Sequence, residues 1–203
     1  MPSTNELGER WLRDVAIELA TEWPHGPTPD PEGFRIHIGG APGTRGSKKH
    51  LGWYCPSAMA RDGIPTIFIS PRPDDPIVVA GILAHEMAHH SDHLQGKRGH
   101  GPSFGAIARA LGLAGPLTAT TVGPDLAGRL NSIIAAIGPY PHAAIDPDAR
   151  KKQDTRMIKY QCPRCAAIFR CSRSTPRPLC DGGDAHEPTA CETEGTDTDN
   201  DQV

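Results

Sequence analysis

The sequence predicts an α+β fold, with a small, mainly antiparallel sheet packed on helices and a small cysteine-bearing module after it. Three observations lead there. Apolar residues change between helical and alternating spacing through residues 1–138, five of the six cysteines follow residue 161, and 22 Gly and 21 Pro cut the 203-residue chain into short elements. At 37% hydrophobic residues, a chain of this length can bury one real core and carry a minor appendage. With aromatics at 5%, that core has to be built from Ala, Ile and Leu.

From Leu7 to Glu22 the residues Leu7, Trp11, Leu12, Val15, Ile17 and Leu19 follow a helical period, so an amphipathic helix is expected to end before Trp23-Pro24. Phe34, Ile36 and Ile38 alternate with Arg35 and His37, the pattern of a half-buried strand; Leu51 to Cys55 is expected to form a second, with Gly39 to Lys49 as the loop between. Ile64 to Ser70 is β-branched, with Pro65 near its start and Pro71 at its end. Because proline cannot donate within a ladder, this segment reads as an edge strand open to an extended peptide.

Asp74-Asp75-Pro76 is a helix start, with Asp75 as cap and Pro76 at the first helical position, and the helix should run to about Leu94 before Gly96 stops it. Gly101-Pro102 opens another helix, with Phe104, Ile107, Ala108 and Leu111 on one face and Gly112 as its end. A last helix begins at Gly123-Pro124, carries Leu126, Leu130, Ile133, Ile134 and Ile137, and stops at Gly138-Pro139. The expected organisation is a main domain over 1–138, a basic linker over 139–159, a module over 160–191 and an acidic, disordered tail over 192–203.

Met1 to Ala20 carries Glu6, Glu9, Asp14 and Glu18 and no uninterrupted apolar stretch, which predicts no signal peptide, no membrane partner and a cytoplasmic location. In a reducing compartment the clustered cysteines favour a metal site over disulfides. Charge is segregated as well. Residues 150–180 hold 9 basic and 1 acidic side chains, whereas 181–203 hold 8 acidic and no basic ones. The basic block suits a polyanion, or an acidic tail folded back on it.

His85-Glu86-Met87-Ala88-His89 carries the chemistry. Two histidines four residues apart project from one side of a helix, close enough for both imidazoles to reach one zinc ion. Glu86 faces the same opening without being a ligand, placed to take a proton from the ion's water as it attacks a peptide carbonyl. A catalytic zinc takes a third protein ligand, and His90, Asp92, His93 and His100 are the candidates. His90 lies about 100° around the helix from His89 and is expected at the surface. His93 continues the fourfold spacing, but three ligands on one straight helix converge poorly. His100 is favoured, because Gly96 and Gly99 let the chain turn back and Phe104 can anchor that turn. No histidine stands at position 95, and the next glutamate after Glu86 is Glu187, so the sequence asks for a distal histidine.

These residues, with His90 completing the first motif and His100-Gly101-Pro102-Ser103-Phe104 and Ala110-Leu111-Gly112 following it, resemble the SprT-like metallopeptidases, whose members cleave proteins crosslinked to DNA. The resemblance spans residues 5–112 and includes Gly52-Trp53-Tyr54 and Ile67-Phe68-Ile69-Ser70. It implies a zincin core of minigluzincin type, a catalytic zinc on His85, His89 and His100, Glu86 as general base, and a role in DNA–protein crosslink repair. Tyr160-Gln161-Cys162-Pro163-Arg164-Cys165 is similar to the first knuckle of the zinc ribbon in which many such proteins end. Cys180 suits the second knuckle, but Gly183 stands where a fourth cysteine is expected; His186 replaces it, or Cys191, while Cys171 reads as a free thiol. A second, structural zinc is therefore expected.

Lys151, Lys152, Arg164, Arg170, Arg173 and Arg177 would then offer a DNA-contacting surface that reads phosphates. Three functions compete: a DNA-associated endopeptidase acting on protein substrates, a peptidase that cleaves a regulator, and a nucleic-acid-binding zinc protein without turnover. Tyr54, His50 and Tyr140 are open candidates for stabilising the oxyanion.

Overall fold

The structure, a computed structural model, describes residues 4–40, 50–146, 149, 157–172 and 175–193. Two compact units make up the chain, Met1–Asp146 and Pro147–Val203. The first contains α1 (Thr4–Thr21), β1 (Arg35–Ile38), β2 (Gly52–Cys55), β3 (Thr66–Ile69), α2 (Pro76–Leu94), α3 (Pro102–Ala110), a hairpin of β4 (Leu113–Ala114) and β5 (Thr121–Val122), and α4 (Pro124–Ile137).

Helix starts are set locally. Asp75 Oδ1 accepts the Ile77 and Val78 N–H groups at 2.8 and 3.0 Å, and α2, α3 and α4 each open on a proline, whose missing N–H would have no helical partner there. Leu12, Val15 and Leu19 of α1, Leu83 and Met87 of α2, Phe104 and Ile107 of α3 and Leu126 and Leu130 of α4 close over Phe34, Ile67 and Ile69 in one core. Each such side chain contributes roughly 1.5–3 kcal/mol on burial. Arg129 of α4 donates to the carbonyls of Glu18, Leu19 and Glu22 at 3.0–3.1 Å, placing a cation where the end of α1 leaves acceptors free.

The sheet departs from expectation in two ways. Its order is β1-β3-β2, so β3 is central and β2 lies at the edge. The prolines do not prevent this, since Pro65 and Pro71 fall outside Thr66–Ile69 and every residue between keeps its N–H; Pro65 even accepts from Arg35 at 2.9 Å. β3 pairs antiparallel with β2 but parallel with β1, because the intervening chain carries β2 across to the far side of β3. Of the expected loop over 39–49, residues 41–49 lie outside the described ones.

The first unit also runs past Gly138 to Asp146. Tyr140 is buried against Trp11 with ring centroids 4.9 Å apart, and His142 Nε2 and Ile145 N–H both reach the Pro71 carbonyl at 3.0 Å.

In the second unit β6 (Ile158–Gln161) and β7 (Ile168–Cys171) form a hairpin, β8 (Leu179–Cys180) pairs with β9 (Thr189–Ala190), and β10 (Glu192–Thr193) adds to the free side of β6, all antiparallel. The start of the expected disordered tail is thus a strand; residues 194–203 lie outside the described ones. The buried centre of this unit is Cys162, Cys180 and Cys191, with Tyr160, Ala167 and Phe169 against it. Among the described residues no helix is long and apolar enough to cross a membrane.

Candidate metal centres

His85 and His89 sit one turn apart on α2, and His100 returns to them from the loop ahead of α3. Gly96 and Gly99 make that return possible at φ +71 and +79, a region other residues rarely enter. One nitrogen from each of the three rings lies within 4.8 Å of the other two, and His89 Nε2 and His100 Nε2 are 3.1 Å apart. Phe104 is the floor beneath them. It stacks on His89 at 4.2 Å and meets His85 and His100 edge-on at 5.1 and 5.0 Å, so the anchoring expected of this residue acts on the ligand rings themselves. A set of three imidazole donors held this closely fits a metal ion.

The rings open on a cavity of about 690 Å³ lined also by His50, Leu51, Gly52, Trp53, Tyr54, Ile82, Glu86, Lys97, Arg98 and Thr118–Thr120. Glu86 lies on the wall, outside the ligand cluster. Its carboxyl accepts the Tyr54 backbone N–H, and burial pushes it up to about 8 against that bond. A divalent cation beside it would act in the opposite sense. Edge strand β2 comes so close to α2 that a methyl on Gly52 would overlap Glu86 Oε1 and lie 2.7 Å from Ile82 Cγ2.

His90 corrects the surface expectation: it is buried, because the apolar side of α2 extends beneath Phe34 and Tyr54, and its Nδ1 is 3.1 Å from the Tyr54 hydroxyl. His93 lines the cavity and Asp92 is buried in α2, both apart from the three-ring cluster. Among the oxyanion candidates, His50 and Tyr54 line the cavity whereas Tyr140 is part of the Trp11 core. The sequence reading missed Thr120, whose Oγ1 is 2.8 Å from His85 Nδ1; one of three threonines over 118–121 carries no signal until the hairpin is folded.

Burial lowers His85 to about 4, His89 to about 3 and His90 to about 4, so their lone pairs are free near neutrality. The sign for stability follows. Between about pH 6.5 and 4 the unfolded chain holds protons on these rings that the metal-free fold refuses, so acidification through that window destabilises it. Glu86 acts oppositely: its neutral form is favoured by folding, and this contribution is lost as pH rises from 4.5 through about 8. We predict that the melting temperature of chelator-treated protein peaks near pH 6.5, the ordinary histidine value, and falls on the acid side. A flat acid limb would show that the rings are not held neutral.

In the second unit the described geometry gathers Cys162, Cys165, Cys180 and His186, their ligand atoms all within 4.8 Å of one another. Cys162 Sγ is 3.5 Å from His186 Nε2, and Cys165 Sγ is 3.5 Å from Cys180 Sγ. The Ala167 N–H and then Cys180 hold the Cys165 thiol below its ordinary range, while against the Gly182 N–H burial and Cys165 push the Cys180 thiol up to about 11. Cys191 is buried next to this group but outside it, with its carbonyl taking the Arg177 guanidinium. Cys171 is a free thiol in β7. Arg164 and Arg170 are exposed, while Lys151, Lys152 and Arg173 lie outside the described residues. Comparison with protein-family models, with curated proteins and with solved structures finds no match.

Proposed function

We propose that this chain is a zinc-dependent endopeptidase of SprT-like type that acts on DNA-associated proteins. The catalytic ion would be held by His85, His89 and His100, and a structural zinc by Cys162, Cys165, Cys180 and His186. The observation that carries the reading is the placement of Glu86: a carboxylate on the same cavity wall as three converging imidazoles, yet not one of the cluster. A donor set of three imidazoles without a carboxylate suits zinc, with one position left for solvent. When bound, zinc supplies Lewis acidity and lowers the pKa of a water to about 7.

The protein's own groups do the rest. Tyr54 N–H orients Glu86, whose free oxygen takes the proton of the attacking water and returns it to the leaving amine. The outer side of β2 pairs with no other strand among the described residues, and Leu51–Tyr54 line the cavity, so an extended substrate would lie along this edge. The strand-addition site is thus assigned to β2, not to the 64–70 segment. His50 and Tyr54 remain the open candidates for donating to the oxyanion. A DNA role is supported by the basic 150–180 block and by Arg164 and Arg170 on the second unit.

The test is hydrolysis of an unstructured protein and of a DNA-binding protein by the zinc-loaded chain, with and without single- or double-stranded DNA. Cleavage stimulated by DNA and weakened by salt supports the proposal in full. Cleavage indifferent to DNA favours a regulator-cleaving peptidase, and none from fully loaded protein overturns the enzymatic reading. Gly52→Ala is a finer probe. Its methyl would push β2 off α2 and shift Glu86, and since displacements of about 1 Å can cost roughly 10²-fold, we expect kcat to fall at least about tenfold with zinc content unchanged.

A further inference from the structure

We infer that Thr120 is a positioning residue for the three-histidine centre, and that the β4–β5 hairpin exists in part to present it. The inference rests on the metal-centre reading above. An imidazole can offer a lone pair to a cation from only one of its nitrogens while the other carries hydrogen, and the partner of that second nitrogen decides which is which. His85 Nδ1 is 2.8 Å from Thr120 Oγ1. With the hydroxyl oxygen accepting, the proton sits on Nδ1 and the lone pair on Nε2, and the ring is fixed about its side-chain torsions before any ion arrives. His89 and His100 already converge through Nε2, so this tautomer presents the same nitrogen from all three rings.

The hairpin is seated firmly enough to do this. Val122 lies against Gly81 of α2, one turn before His85, with no room for a methyl between them. On the other side Leu117 rests on Gly105 of α3, where an added Cβ would be 3.0 Å from its Cδ1. The turn is closed by Ala119 N–H on the Pro116 carbonyl at 2.9 Å, and Gly123 N–H on the Gly112 carbonyl, also 2.9 Å, closes the base. A loop held at both ends and on both flanks delivers a hydroxyl to a fixed point; loose, it would give His85 no preferred tautomer.

The experiment is zinc titration of the full chain by calorimetry, with the binding step that disappears in His89→Ala taken as the His-centre step. Thr120→Val keeps the shape and removes the acceptor. It is expected to weaken that step about 10–100-fold, the range usual for loss of a group that orients a ligand, while metal-free protein still folds cooperatively and loses in stability no more than this one hydrogen bond. Thr120→Ser keeps the acceptor and is expected to bind close to the unaltered chain, a rescue that a packing role for the methyl would not give. If Thr120→Val binds as the unaltered chain does while His89→Ala loses the step, the positioning role is overturned and the metal centre stands. If His89→Ala loses no step, the centre itself is wrong and the inference goes with it.

Discussion

Glu86→Gln is expected to lower kcat for peptide hydrolysis by about 10³-fold, within the 10²–10⁴ that general acid–base catalysis supplies, with zinc content unchanged. The substitution isolates one property. Glutamine has the same shape, and its carbonyl oxygen can still accept the Tyr54 N–H that orients the carboxyl, but it cannot carry a proton from water to amine. Because Glu86 is buried and its ionised form is disfavoured there, the neutral amide should fold at least as well above neutral pH. A loss of activity could not then be blamed on unfolding. Single-turnover cleavage of a labelled peptide, beside zinc analysis of the same preparation, checks both halves, and a variant retaining more than a tenth of the rate would remove Glu86 from the mechanism.

The second large effect concerns the second unit, which a strong chelator is expected to unfold while the first unit stays folded. Its buried centre is three cysteines with Tyr160, Ala167 and Phe169 partly covered, and each fully buried apolar side chain contributes only about 1.5–3 kcal/mol. Ordering costs roughly 1.5 kcal/mol per residue, so several tens of residues cannot be held by that centre alone. A structural zinc on the Cys162, Cys165, Cys180 and His186 group would add on the order of 10–16 kcal/mol, more than any single side chain of that centre. Amide resonances of 157–193 should collapse on chelation and return with zinc, while those of the Leu12–Leu130 core persist. His186→Ala should mimic chelation and Cys191→Ala should not, because Cys191 lies outside the four-residue group. Dispersed resonances in excess chelator would mean that the unit folds without metal.

Much of the fold was legible because its signals are local. Asp75-Pro76, Gly101-Pro102 and Gly123-Pro124 mark helix starts through their own backbone chemistry, and all three stand where the helices begin. The fourfold spacing of His85 and His89 needs only a helix, and the return of His100 needs only the glycines before it. Strand order was another matter. The prolines flanking 66–69 looked like edge markers, but whether a strand is central depends on where β1 and β2 arrive, which no local rule records. His90 was misplaced for the same kind of reason: its position around α2 was right, but whether that side meets water or Phe34 and Tyr54 is decided by distant chain.

By itself, then, the sequence determined the helix starts at Pro76, Pro102 and Pro124, the His85–His89 pair with Glu86 beside it, and the Cys162–Cys165 pair of the second unit, since each depends on a spacing of a few residues. Only the tertiary structure decided that β2 lines the cavity, that His90 is buried, that His186 joins the thiols and that Thr120 reaches His85. Those contacts join residues from 6 to 56 positions apart, so they follow from packing and from no periodicity the chain could display.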